Sequence, residues 1–299
     1  MKRFLKNSLL FIIILGIVIV LCLVVIPPNH IHYLYSYRQK IERLDSLSSP
    51  RLIIAGGSNT AFGLDSREIQ DSIKMNVVNL GLHTGIGLRF MTDDILRRSR
   101  EGDVVVFMPE YSQFYDLYFG KNDALPHVVM YSDSNAWELL NLQQKLIAIS
   151  GITTYIGENI NAKTYDDWSY SALNFNEFGD EEAHRTAPSP PLKTDAFLID
   201  TPFNVKGADD FAEKIALFHK KGVNTIFFWP ITIRSNYLAN DAIISEIEDQ
   251  LRNRDIHFSI PPDYFVGADS LAFDTPYHLN GAGVKEMTKR FISAIRSEK

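Results

Sequence analysis

From Leu9 to Ile26 the chain runs through 18 residues, LLFIIILGIVIVLCLVVI, without a charged or strongly polar side chain. As a helix rising about 1.5 Å per residue this stretch is roughly 27 Å long, close to the hydrocarbon thickness of a bilayer. Lys2, Arg3 and Lys6 lie nearer its edge than Arg38, Lys40 and Arg43 on the far side, so the positive-inside rule puts the N-terminus in the cytoplasm. The stretch runs into Pro27-Pro28 without a small-x-small cleavage site, and Ile19, Val20 and Leu21 before Cys22 lack the small residue of a lipoprotein site. An uncleaved anchor is therefore expected rather than a removed signal peptide. The expected layout is a cytoplasmic N-terminus (1–8), a transmembrane helix (9–26), a juxtamembrane helix or stalk (27–50) and an extracytoplasmic domain (51–299). The protein would be single-pass in the inner or cytoplasmic membrane.

Charge divides the chain in the same place. Residues 1–50 carry six basic and two acidic side chains, net +4, whereas residues 51–299 carry 24 and 34, net −10. An acidic domain without a basic stripe has no footprint for phosphate neutralisation, so nucleic acid is excluded as a partner. With one cysteine, Cys22, there is no disulfide framework and no Cys-rich zinc module. His30 and His32 are metal-capable, but beside a membrane they read as interfacial side chains, and no metal or organic cofactor is expected.

Beyond Ser48-Ser49-Pro50 the pattern alternates. Arg51–Ala55, Asn76–Leu80, Asp103–Met108 and Thr225–Trp229 are short apolar runs, with His257–Ile260 as a candidate last strand. Between them lie helical periodicities. Asp65 with Glu68 forms a capping-box pattern before Ile69 and Ile73; Met91 with Ile95, Phe211 with Ile215 and Phe218, Ile244 with Ile247 and Leu251, and residues 281–296 follow. Strands that are continuously apolar and separated by helices imply an α/β fold with a parallel sheet covered on both faces. Residues from about 115 to 205, rich in aromatics, Asn and Asp, read as an insertion. Asn174–Asp180 within it reads either as a substrate-facing loop or as an Asn/Gly/Asp turn.

In such a sheet the chemistry belongs in the loops beyond the carboxyl ends of the strands. Gly56-Gly57-Ser58-Asn59 places a hydroxyl just after the first strand, and Asp274 and His278 stand four residues apart near the other end. A serine needs an imidazole to take its proton, and the imidazole needs an acceptor to fix its tautomer, so the three supply nucleophile, base and orienter. Read blandly, Ser58 is a helix cap and Asp274 and His278 cap the final helix. Other motifs fail. GGSNTAFG lacks the Lys-Ser/Thr of a phosphate loop and the glycine spacing of a dinucleotide site, HExxH does not occur, and Thr60 stands where the Gly-x-Ser-x-Gly elbow needs its last glycine.

These residues resemble the SGNH, or GDSL-like, hydrolases, in particular membrane-anchored bacterial members related to cell-surface acyl-transfer proteins. The match spans residues 51–115 and 225–296. Ser58 in IAGGSN matches the nucleophile block, Gly81 in VNLGL the block whose glycine N–H enters an oxyanion hole, and Asp274 and His278 in DTPYHLN the acid and base block. The resemblance implies a three-layer, flavodoxin-like domain and a serine esterase or O-acyltransferase acting on acyl esters of a cell-surface glycan or polymer. Proteins that D-alanylate teichoic acids or O-acetylate extracellular polymers are its analogues. Two departures stand out: the family spaces its Asp and His by three, and its third block offers an Asn where this chain has Glu110 with Gln113 following. A charged Glu110 would repel an oxyanion, which leaves the hole to the N–H groups of Ser58 and Gly81 or to Gln113. Glu110 is then structural, bonded to backbone N–H groups. Asn59, Glu110 and Gln113 are the candidate substrate-proximal residues. The alternative is a non-catalytic domain that binds a glycan or a membrane-bound O-acyltransferase.

Overall fold

A computed structural model describes residues 1–133, 135–161 and 170–298; residues 134 and 162–169 of the expected insertion, and residue 299, lie outside the description. Helix α1 (Lys2–Val25) is apolar all round from Leu9 onward and buries none of its residues. It is the one helix among the described residues long and apolar enough to cross a membrane. It ends at the Pro27-Pro28 pair, as a helix must where proline removes an N–H donor.

The following segment is not a stalk. After a short turn (Tyr33–Tyr35), α2 (Ser36–Ser46) lies against the domain, and Tyr33, Leu34, Tyr37, Ile41 and Leu44 are buried in its core. The domain therefore begins some twenty residues before residue 51. Lys40, the one fully buried charged side chain of α2, is satisfied inside. Lys40 Nζ donates to the carbonyl oxygens of Asn79 at 3.1 Å and Gly81 at 2.7 Å, and to that of Gly179. Burial pulls this ammonium down to about 7, against the nearby Asp180 carboxylate. Five buried apolar side chains at about 1.5–3 kcal/mol each match the whole stability of an ordinary domain. A chain that starts at residue 51 is thus expected to aggregate or to lack a cooperative thermal transition by circular dichroism, whereas one starting at residue 27 melts cooperatively. A cooperative melt of the shorter chain would contradict this packing.

The remaining elements follow in order: β1 (Arg51–Gly56), α3 (Ser58–Ala61), α4 (Ser66–Ile73), β2 (Asn76–Asn79), α5 (Leu88–Arg98) and β3 (Val104–Met108). The insertion supplies α6 (Leu125–Tyr131), α7 (Leu142–Ser150) and α8 (Ile152–Ile160). Then come α9 (Val205–Lys220), β4 (Asn224–Phe227), β5 (Thr232–Ile233), α10 (Arg234–Ala239), α11 (Asp241–Arg252), β6 (Val266–Gly267) and α12 (Gly281–Ser297). Strands β2-β1-β3-β4 form one parallel sheet in that order. Alternate residues of each strand face opposite layers. Ile53, Ala55, Val105 and Phe107 pack with α2, α5, α9 and α11, while Leu52, Ile54, Val106 and Met108 pack with α4 and α12. Both faces are covered, which is why the strands read as unbroken apolar runs.

His257–Ile260 is not a strand. Ser259 N–H makes one bond to the Phe227 carbonyl at 3.0 Å, and Pro261-Pro262 prevents a ladder from continuing. A separate parallel pair, β5 with β6, follows the sheet instead. The insertion is more regular than its composition suggests. The Asn174–Asp180 segment is a structural turn: Asn176 Oδ1 accepts the N–H groups of Phe178, Gly179 and Asp180, and the Asp180 carboxylate accepts from Ser66 and Asn79.

Candidate active site

The order of the sheet reverses at β1, which pairs with β2 on one side and β3 on the other, so a crevice opens at the carboxyl ends of β1 and β3. Ser58 leaves β1 there and Glu110 leaves β3. Gly57 is needed at this approach, because a Cβ on it would lie 2.2 Å from Glu110 Oε1.

Asp274 and His278 sit on a braced turn. Phe273 N–H donates to the His278 carbonyl at 2.7 Å, and the Pro276 carbonyl accepts from Ile233 N–H and Thr232 Oγ1, each at 3.1 Å. Asn280 caps α12 through the N–H groups of Ala282 and Gly283, so it, rather than Asp274 or His278, is the helix cap. The four-residue spacing still brings the pair together. Asp274 Oδ1 accepts from His278 Nδ1 at 2.7 Å, which leaves Nε2 of that tautomer with its lone pair free to act as a base. The Tyr170 hydroxyl donates to Asp274 Oδ2 at 2.5 Å and lies 3.2 Å from His278 Nδ1. Partial burial would raise the Asp274 carboxyl, but the hydrogen bond and charge of His278, with Tyr170, hold it below its ordinary value. The imidazole is stacked on Phe62, with ring centroids 4.0 Å apart and planes 12° apart. Phe62 N–H closes the helical turn onto the Ser58 carbonyl at 2.9 Å, so Ser58 and the ring that supports His278 lie one turn apart.

Ser58 itself is held by Glu110. Its Oγ donates to Glu110 Oε1 at 3.2 Å, the Asn59 N–H donates to the same oxygen at 3.1 Å, and the Ser58 N–H also faces this carboxylate. Among the described residues no hydrogen bond joins Ser58 to His278. Burial pushes the Glu110 carboxyl from 4.5 up to about 7, against the hydrogen bonds from Asn59 and Ser58. The folded group therefore holds its proton more tightly than the unfolded one. Its contribution to stability is full below about pH 4.5 and is lost as pH rises through about 7. Glu110→Gln, which keeps an acceptor for Asn59 without a titrating group, is expected to lose less stability than wild type between about pH 5 and pH 8 in urea unfolding. Parallel losses would contradict a buried, proton-binding Glu110.

Three expected roles change. The Gly81 N–H is committed to Asn79 Oδ1 at 3.1 Å, so the amides that converge on one acceptor are those of Ser58 and Asn59, not of Ser58 and Gly81. Gly81 is glycine for closeness: a Cβ there would lie 1.7 Å from Thr60 Oγ1. Gln113 faces away, fully buried, with Oε1 accepting from Glu110 N–H at 3.0 Å and Nε2 directed at Met91 Sδ, 3.7 Å away. The Asn59 side chain is also structural, donating to the Met108 carbonyl at 3.1 Å, so only its backbone N–H reaches the site.

A cavity of about 280 Å³ opens against Glu110 and against Tyr277, the neighbour of His278, with Thr84, Lys121 and Phe197 on its walls. Tyr170 is the residue that sequence reasoning missed. It lies more than a hundred positions from its partners and carries no local motif. Compared with known proteins, the chain matches no protein-family model, no curated protein and no solved structure.

Proposed function

We propose that this chain is a membrane-anchored SGNH-like serine esterase or O-acyltransferase, acting on acyl esters of a cell-surface glycan or polymer with its domain outside the membrane. The observation that carries the reading is the Asp274–His278 hydrogen bond of 2.7 Å, braced by Tyr170 and stacked on Phe62 one helical turn from Ser58. The strand order β2-β1-β3-β4 is compatible with the flavodoxin-like arrangement of that family. The apolar α1 and the lysine and arginine residues before it support the anchor and its orientation.

In this mechanism the Ser58 hydroxyl turns from Glu110 to His278 as substrate enters. Oγ attacks the acyl carbonyl while its proton passes to His278 Nε2, and Asp274 stabilises the imidazolium. The carbonyl oxygen, now anionic, takes the place of Glu110 Oε1 at the Ser58 and Asn59 N–H groups. Collapse expels the alcohol, which leaves with the proton from His278, and the acyl group on Ser58 passes to water or to a second hydroxyl. Glu110, protonated at the pH where its buried carboxyl stays neutral, donates to the oxyanion instead of repelling it, as neutral buried carboxylic acids do elsewhere. Release of acetate from an O-acetylated polysaccharide by the full chain in detergent, with none from Ser58→Ala, is the expected result.

The Ser58–Glu110 bond favours a second reading, a non-catalytic domain that binds a glycan or a membrane acyltransferase and keeps its serine tied back. Ser58→Ala would then leave binding intact and alter no turnover.

A further inference from the structure

His32 is metal-capable, but the structure pairs it with residues far away in sequence and not with His30. His127 on α6 and Glu158 on α8 meet it, and the candidate ligand atoms of the three all lie within 4.8 Å of one another. Glu158 Oε2 lies 3.2 Å from His32 Nε2 and 2.6 Å from His127 Nε2. The two imidazoles stack with centroids 4.6 Å apart and planes 6° apart, so both present an edge to the same carboxylate oxygen. His127 is fully buried, yet neither of its ring nitrogens makes an aligned hydrogen bond; the contact with Glu158 is close but poorly directed. A buried imidazole without an aligned partner is costly unless something else takes its lone pair.

We propose that His32, His127 and Glu158 form a binding site for a divalent transition metal, zinc in the first instance, independent of the serine chemistry. Two imidazoles and one carboxylate are a borderline donor set that suits zinc rather than magnesium or calcium. Small shifts of the side chains bring each donor to the 2.0–2.2 Å of a zinc bond.

Three protein ligands leave a coordination position open, and here it faces space. His32 and Glu158 line a cavity of about 310 Å³, with His83, Asp123 and Tyr170 on its other walls. Tyr170 is the residue that braces Asp274 and His278. The open position thus looks into a chamber one side chain from the candidate dyad, where water or an anionic substrate oxygen completes the shell. The metal would also staple the segment just after α1 to α6 and α8 of the insertion.

The test uses the full chain in detergent, stripped with EDTA, dialysed against zinc and measured by elemental analysis. About one zinc per chain is expected in wild type and in Ser58→Ala. His127→Ala and Glu158→Gln are expected to bind more than about tenfold more weakly. Folded wild type holding no zinc, or holding zinc that both variants retain, overturns the site. If either variant fails to fold, cobalt titration of wild type decides: intense visible bands of a four-coordinate imidazole site support the proposal, and a spectrum of aqueous cobalt alone overturns it. Neither readout depends on esterase activity.

Discussion

His278→Ala is expected to lower acyl-ester turnover by about 10³-fold or more, and Ser58→Ala by a similar factor, with the folded state retained. The magnitude follows from the two acting as one unit: without the base the hydroxyl stays protonated, and without the hydroxyl the base has nothing to activate. The double variant should therefore be about as slow as either single one. Multiplied losses in a kcat comparison would mean that His278 works on something other than Ser58. Asp274→Asn should follow at a smaller factor, because the Tyr170 hydroxyl, beside Asp274 and 3.2 Å from His278 Nδ1, can still accept its N–H.

The second large effect is on stability and lies at the opposite end of the sheet. Arg51 and Asp103 are fully buried, and Asp103 accepts from Arg51 N–H and Nε and from Arg100 N–H, at 2.8–3.2 Å. The same guanidinium donates to the Leu44 carbonyl at 2.5 Å and the Arg98 carbonyl at 2.9 Å, tying α2 and α5 to the start of β1. Burial alone would raise the Asp103 carboxyl, but the Arg51 guanidinium holds it below its usual range. Asp103→Asn removes the counter-charge and leaves the cation buried, which is expected to cost about 3–5 kcal/mol. Urea unfolding of the full chain measures it. A loss under about 1 kcal/mol would mean that Arg51 reaches water in the folded state.

These residues also show what the sequence could and could not reveal. The sheet was legible because both faces are covered: an unbroken run such as VVVFM has no other comfortable place, and Asp65 with Glu68 marked the start of α4 correctly. A helix was among the readings of this segment, but the burial of α2 in the domain core was not legible, because SYRQKIERLDS reads as solvated and Lys40 is seldom a core residue. Only the three carbonyl groups that surround its ammonium, contributed by β2, the loop after it and the insertion, make that burial possible. Ser58 was singled out by its position after β1, and Asp274 and His278 by their chemistry and spacing, and the last two do meet. Their supports could not be read in this way. Tyr170, His127 and Glu158 reach the site or its neighbouring cavity through tertiary packing of the insertion, with no spacing that marks them. Gly81 and Gln113 were assigned roles by motif alone, and local hydrogen bonds, to Asn79 and within the Glu110 capping box, claim the groups those roles required.

The most direct test is labelling of the full chain in detergent with a serine-reactive fluorophosphonate, followed by peptide mapping. A serine becomes phosphonylated only when a base activates it and nearby donors accept the developing charge. The expected result is a single adduct on Ser58, lost in both Ser58→Ala and His278→Ala while their melting temperatures stay near that of wild type. A folded wild-type chain that takes no label from this reagent or from a smaller activated ester, or that takes it equally in His278→Ala, would contradict the account.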